Sequence, residues 1–152
     1  MPSSEFKTKL DPSAKALRAR WKHQIDELKN LKTVYTKVSI FLDSWVQKNF
    51  KTEGDKVGGW RKLALGGRYV GTGKNKRFDS SAKLLQDTGR LRASFLPFAS
   101  NKNAGIGSDL PYSKQHDEGL KGLPKRRILP KDREVWPTAE KIIDKHIMDS
   151  LK

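Results

Sequence analysis

Leu84-Leu85-Gln86-Asp87-Thr88-Gly89-Arg90-Leu91-Arg92-Ala93-Ser94-Phe95 is the densest run of local structural signals in the chain. Asp87 and Thr88 are both good N-cap types, because a short side-chain oxygen accepts from the free amides of a first helical turn. On that reading residues 89–94 form one or two turns and Phe95-Leu96 opens an extended segment. A second reading ends a helix over residues 83–87, with Gly89 as its left-handed C-cap. Both readings turn Leu84, Leu85, Leu91 and Phe95 inward and Arg90 and Arg92 outward. The stretch is therefore where the helix before it should meet the sheet after it.

Upstream, residues 1–10 read as a flexible arm, and Asp11-Pro12 as a helix start with Asp at N-cap and Pro at N1. Apolar residues then fall at Ala14, Leu17, Trp21, Ile25, Leu28, Leu31, Tyr35, Val38, Leu42 and Trp45. Steps of three and four define one face of a long α-helix. A β-branched cluster over residues 33–40 predicts a kink or break near residues 30–36. Beyond it the apolar face widens to Ile40, Phe41, Val46 and Phe50, and the helix should end by Gly54. The stripe is expected to pack on the chain's own sheet, with helix-to-helix contact between subunits as the competing use.

Residues 53–82 change character. Seven glycines (Gly54, Gly58, Gly59, Gly66, Gly67, Gly71 and Gly73) punctuate a basic segment anchored by Trp60, Leu63, Leu65, Tyr69 and Phe78. It reads as a long loop or a hairpin, with residues 68–70 and 76–78 as arms. A loop of this length in a compact domain is usually functional, so it is expected to order on assembly.

Downstream, residues 93–99 and 104–108 predict a hairpin across the Ser100-Asn101-Lys102-Asn103 turn, with Pro97 marking an edge or bulge. Asp109 should cap a short helix that Gly119 stops. Residues 126–129 predict a third strand, and Trp136-Pro137-Thr138 leads into a C-terminal helix with Ala139, Ile142, Ile143, His146, Ile147 and Leu151 on one face. The expected fold is one α+β domain over residues 11–152. In it a long N-terminal helix packs on a small antiparallel sheet, with a short middle helix and a C-terminal helix. The expected core comprises Trp21, Trp45, Trp60, Leu85, Leu91, Phe95, Ile106, Tyr112, Ile143 and Ile147.

The 152 residues carry 32 Lys and Arg against 17 Asp and Glu, a formal charge of +15. Such a surface attracts polyanions and repels its own copies. There is no cysteine, which excludes disulfides and thiolate zinc sites. No run approaches the roughly 18 apolar residues of a membrane span. The first residues lack the apolar core of a secretory signal, so no export is expected. His116-Asp117-Glu118 lacks a second ligand at helical spacing, and His116 is expected to bond a backbone group at a helix end. Gly71-Thr72-Gly73-Lys74 misses the phosphate-loop spacing, and no Gly-x-Ser-x-Gly elbow occurs. No catalytic, metal or cofactor residues are assigned. The candidate DNA-facing or partner-facing residues are two basic groups: Arg68, Lys74, Lys76 and Arg77, then Lys121, Lys125, Arg126, Arg127, Lys131 and Arg133. Without a reading motif beside them, any nucleic-acid contact should be non-specific.

Four elements stand in a fixed order: Phe50 with Gly59-Trp60-Arg61-Lys62-Leu63; Leu84 to Ser94; Tyr112-Ser113-Lys114-Gln115-His116-Asp117-Glu118-Gly119; and Leu123-Pro124-Lys125-Arg126-Arg127-Ile128-Leu129. Over about residues 45–150 this order resembles the phage virion morphogenesis family, the tail-completion and neck proteins of Mu-like and P2-like phages. The residues that carry it are Phe50, Trp60, Leu85, Asp87, Thr88, Gly89, Leu91, Ser94, Tyr112, His116, Gly119, Pro124 and Arg126. Arg127-Ile128 stands where that family usually has Pro-Phe, and Asp117-Glu118 replaces a polar-aromatic pair.

The resemblance implies a non-enzymatic structural protein of the virion, made in the host cytoplasm and placed at the head–tail junction. It implies a ring of identical subunits, sixfold by analogy, contacting neck, connector or tail-tube proteins, with genomic DNA passing non-specifically through the lumen and no membrane partner. A free-standing, non-specific nucleic-acid-binding module is the alternative.

Overall fold

Between Leu31 and Lys51 the three-and-four spacing produces helix α2 (Leu31–Lys51), whose Val34, Val38, Trp45, Val46 and Phe50 are buried. The computed structural model describes residues 13–29 and 31–151. In chain order these form α1 (Ser13–Lys29), α2, β1 (Arg68–Val70), β2 (Arg77–Asp79), α3 (Arg90–Ala93), β3 (Phe95–Ala99), β4 (Ala104–Ser108), α4 (Pro111–Glu118) and α5 (Asp132–Ser150). The architecture is α+β. The long helix α2 packs on the β3–β4 sheet and against α5, while β1 and β2 form a second antiparallel pair. The registers run Arg68 opposite Asp79 and Phe95 opposite Ser108.

The core is a single cluster. Trp45, Val46 and Phe50 from α2 meet Trp60, Leu84, Leu91, Phe95, Ile128 and Val135. Phe50 is its hub, edge-on to Trp60 at 5.4 Å between ring centroids and tilted against Phe95 at 5.8 Å. Leu85, Ile106 and Tyr112 pack around it half-buried, and Ile143 is half-buried on α5.

Several expectations need correction. Trp21 is 57% exposed and Ile25 stands out in the same way, because α1 finds its main neighbour in α5 and not in the sheet. Ile40 and Ile147 also face solvent. The helix start at Asp11-Pro12 and the arm over residues 1–10 lie outside the described residues, as does Asn30. The expected kink or break near residues 30–36 is not contradicted at its start, since α1 and α2 divide at residue 30, outside the described residues, and from Leu31 onward the β-branched cluster is continuously helical.

The central stretch combines the two readings in an unexpected way. Residues 83–87 are not helical, and α3 follows, as on the N-cap reading. Gly89 does adopt the left-handed conformation (φ 73°), but at the start of α3 and not at the end of an earlier helix. The Thr88 hydroxyl accepts from the Arg90 amide at 3.3 Å. Leu85 is also left-handed (φ 58°), which is uncommon without glycine. Its neighbours hold it there: the Leu84 amide donates to Glu53 Oε1 at 2.7 Å, and the Gln86 side-chain amide donates to the Phe50 carbonyl at 2.8 Å. Arg92, expected to point out, lies along α2 and donates to Gln47 Oε1 at 2.7 Å.

Two helix starts also differ. Leu110, not Asp109, sits at the N-cap of α4, with Pro111 in the first turn. Helix α5 begins at Asp132, ahead of Trp136, and contains Pro137. Glu134 makes this early start possible, because its carboxylate accepts from the Lys131 amide at 2.9 Å. Pro137 is the sixth residue of the helix, so the Arg133 carbonyl receives no amide from that position.

The third strand expected over residues 126–129 does not form: the segment has no regular secondary structure and pairs with no strand among the described residues. Side chains stand in for the ladder. Asn49 on α2, fully buried, donates from Nδ2 to the carbonyls of Arg127 (3.0 Å) and Ile128 (3.1 Å). Trp60 Nε1 donates to the Arg127 carbonyl at 2.9 Å. From the other side, Asp117 Oδ1 accepts from the amides of Ile128 (2.5 Å) and Leu129 (2.9 Å).

Two substitutions test this packing by urea denaturation. Leu91, 6% exposed within the core, should cost about 2–5 kcal/mol when changed to Ala. Asn49→Ala should cost about 1–3 kcal/mol, because the Ile128 carbonyl then loses its partner while the Arg127 carbonyl keeps Trp60. A surface-like change of a few tenths at either position would contradict the packing described here.

Candidate functional site

The four sequence elements singled out above converge in space. Phe50 and Trp60 form the aromatic centre of the core, and the central stretch lies over the end of α2 through Glu53 and Phe50. Ser94 Oγ lies 2.8 Å from the Leu91 carbonyl and 2.6 Å from Ser108 Oγ, which ties α3 to the far end of β4. Gly119 ends α4 in the left-handed conformation (φ 74°), and a β-carbon there would collide with Lys125. That close approach lets the Arg126 amide reach the His116 carbonyl at 2.8 Å. Pro124 is half-buried in the same turn.

Between these elements lies an open cleft of about 370 Å³. Its walls come from Leu63, the Leu84–Leu91 stretch, Tyr112 and His116 on α4, and Arg68 and Arg126. Tyr112 and His116, one helical turn apart, meet edge to face at 6.4 Å. Asp87 is the carboxylate of the lining, and it pairs with Arg68 at 3.2 Å. Burial holds the His116 imidazole below its ordinary pKa, and the charge of Arg126 adds to the effect. Its Nδ1 is buried without a hydrogen-bond partner, as is Arg68 Nε. The ring therefore does not bond the backbone as expected, and its neighbour Asp117 does so instead.

The ten basic candidates divide sharply. Lys74, Lys76, Arg77, Lys121, Lys125, Lys131 and Arg133 are exposed. Arg68 is half-buried against Asp87. Two do not present free charge to a large partner. Arg126 is only 7% exposed and donates from Nε to the Arg61 carbonyl at 3.1 Å. Arg127 forms a two-pronged ion pair with Glu134, at 2.6 and 2.7 Å. These adjacent arginines thus lie in different surroundings, which a count of basic residues cannot reveal.

Sequence reasoning passed over Asn49, Asp117 and Glu134, which hold the segment that carries Arg126. Asn49 left a trace in the sequence: a polar residue set in the apolar stripe between Val46 and Phe50. Arg90 in the cleft lining and Arg61, whose carbonyl accepts from Arg126, carried no comparable signal.

Comparison with protein-family models, with curated proteins and with solved structures finds no match for this chain.

Glu134 supplies a pH test. Its two hydrogen bonds from Arg127, then that from the Lys131 amide, lower its pKa from 4.5 to about 2. A carboxylate with a depressed folded pKa stabilises the fold fully above its unfolded value and loses that contribution as pH falls through its folded one. The wild-type protein should therefore lose stability between about pH 4.5 and 2, and Glu134→Gln should flatten that part of the curve. Parallel stability–pH curves for the two proteins would contradict this assignment.

Proposed function

We propose that this chain is a structural neck or tail-completion protein of a phage virion, acting at the head–tail junction as a ring of identical subunits around the DNA path. The observation that carries this reading is the exposure of large apolar side chains on several separate elements. They include Trp21 and Ile25 on α1, Tyr69 and Phe78 on the β1–β2 hairpin, Leu96 and Phe98 on β3, and Trp136 on α5. Scattered exposed apolar residues are ordinary, but aromatics on this many faces are the composition of contact surfaces.

An apolar groove of about 450 Å³, walled by Val38 and Leu42 of α2, Ile106 of β4 and Trp136 of α5, offers a neighbouring subunit a seat. The resemblance in the order of the four elements supports the same reading. So does the net charge of +15, which disfavours packing of bare subunits and favours assembly around a polyanion.

The seven exposed lysines and arginines named above also support the second reading, a non-specific nucleic-acid-binding module. Electron microscopy of particles made while this gene is silenced in its phage separates the two. The neck reading predicts DNA-filled heads and finished tails that remain unjoined. Normally joined virions would remove the structural role and leave the module.

A further inference from the structure

Arg126 is an unusual cation. It is more than nine-tenths buried, no carboxylate among the described residues pairs with it, and its hydrogen bond to the protein is the one from Nε to the Arg61 carbonyl. Burial lowers its pKa, and the like charge of Arg61 adds to the effect. A buried charge is ordinarily paired, because desolvation without compensation is costly. Arg127, one residue on, shows the ordinary solution in its ion pair with Glu134.

The cleft that Arg126 lines has the same imbalance. It contains three guanidiniums, of Arg68, Arg90 and Arg126, against the single carboxylate of Asp87. Asp87 lies mostly in solvent, bound to Arg68. Arg68 Nε and His116 Nδ1 are buried nitrogens without partners, and native structures contain few of these.

We propose that this cleft is a binding site for a carboxylate carried on an acidic, apolar-flanked peptide segment of a partner protein. The shape favours a side chain over a nucleic-acid backbone. Arg126 lies within a recess of about 370 Å³ whose other walls include Leu63, Leu85, Leu91 and the Tyr112 ring. Leucine walls suit the apolar neighbours of an acidic residue. A planar guanidinium fork matches a carboxylate with two parallel hydrogen bonds. The seven exposed basic residues, which a duplex would meet first, are absent from the cleft lining. The inference does not depend on the neck assignment, since it rests on the charge and the lining of the cleft.

The test is an NMR titration of the full chain with N-acetyl-Leu-Glu-Leu-amide, following the His116 and Tyr112 ring resonances. Saturable shifts of both rings are expected, with binding at least ~10-fold weaker for the Gln counterpart of the peptide, because only the carboxylate makes charge-assisted bonds. Arg126→Met should abolish the shifts. Should that variant fail to fold, Arg68→Gln, at the cleft edge, should weaken binding with the amide spectrum otherwise preserved. Equal binding of the Glu and Gln peptides would overturn the proposal, as would the absence of saturable shifts or wild-type affinity in Arg68→Gln. Inorganic phosphate displacing the peptide at lower concentration than acetate does would also overturn it, in favour of a phosphate site.

Discussion

The side-chain amide of Asn49 holds two successive backbone carbonyls, and much of the molecule depends on that contact. Both acceptors are oxygens, so the amide has one usable orientation. Its Oδ1 is left buried without a partner as a result. With Trp60 above and Asp117 opposite, Asn49 replaces the neighbouring strand that residues 126–129 would otherwise need. Buried backbone groups must be paired with something, and three side chains do it here. Fixing that segment sends Ile128 into the core, Arg126 to the cleft and Arg127 to Glu134 at the start of α5.

Charge is distributed unevenly beneath a uniform total. A net +15 describes a surface, yet the two arginines with the most consequence for the structure are not surface residues in the ordinary sense. Arg127 is locked to Glu134 and fastens two elements together. Arg126 is mostly buried and lines the cleft, with no carboxylate among the described residues paired to it. Lysine would serve poorly at position 127, where two parallel bonds set the geometry.

The elements most readable in the sequence were those whose signals are local. The buried half of α2 follows from three-and-four spacing, and the β3–β4 hairpin from its turn residues. The glycine-flanked arms of the β1–β2 hairpin could be read in the same way, and the α+β class followed from these pieces. What escaped depends on distant partners. The stripe through Trp21 and Ile25 has the same periodicity as the one through Val38 and Trp45, but only the second reaches the sheet. Residues 126–129 were expected to form a strand, and nothing local says that an asparagine on α2 will hold their carbonyls instead. Position 85 gave no left-handed signal because leucine is not a residue that seeks that conformation, and the surrounding hydrogen bonds impose it. The cleft was legible only as separate motifs, since its electrostatic character comes from which arginine lacks an acid.

The fastening of residues 126–129 also bears on the chain entropy lost in closing the fold. Asp117 reaches this segment across 11 and 12 residues, whereas Trp60 spans 67 and Asn49 spans 78 and 79. Closing the longer loops costs more chain entropy before any contact rewards it. The bonds of Asp117 therefore close the shortest of these loops, and those of Trp60 and Asn49 the costlier ones.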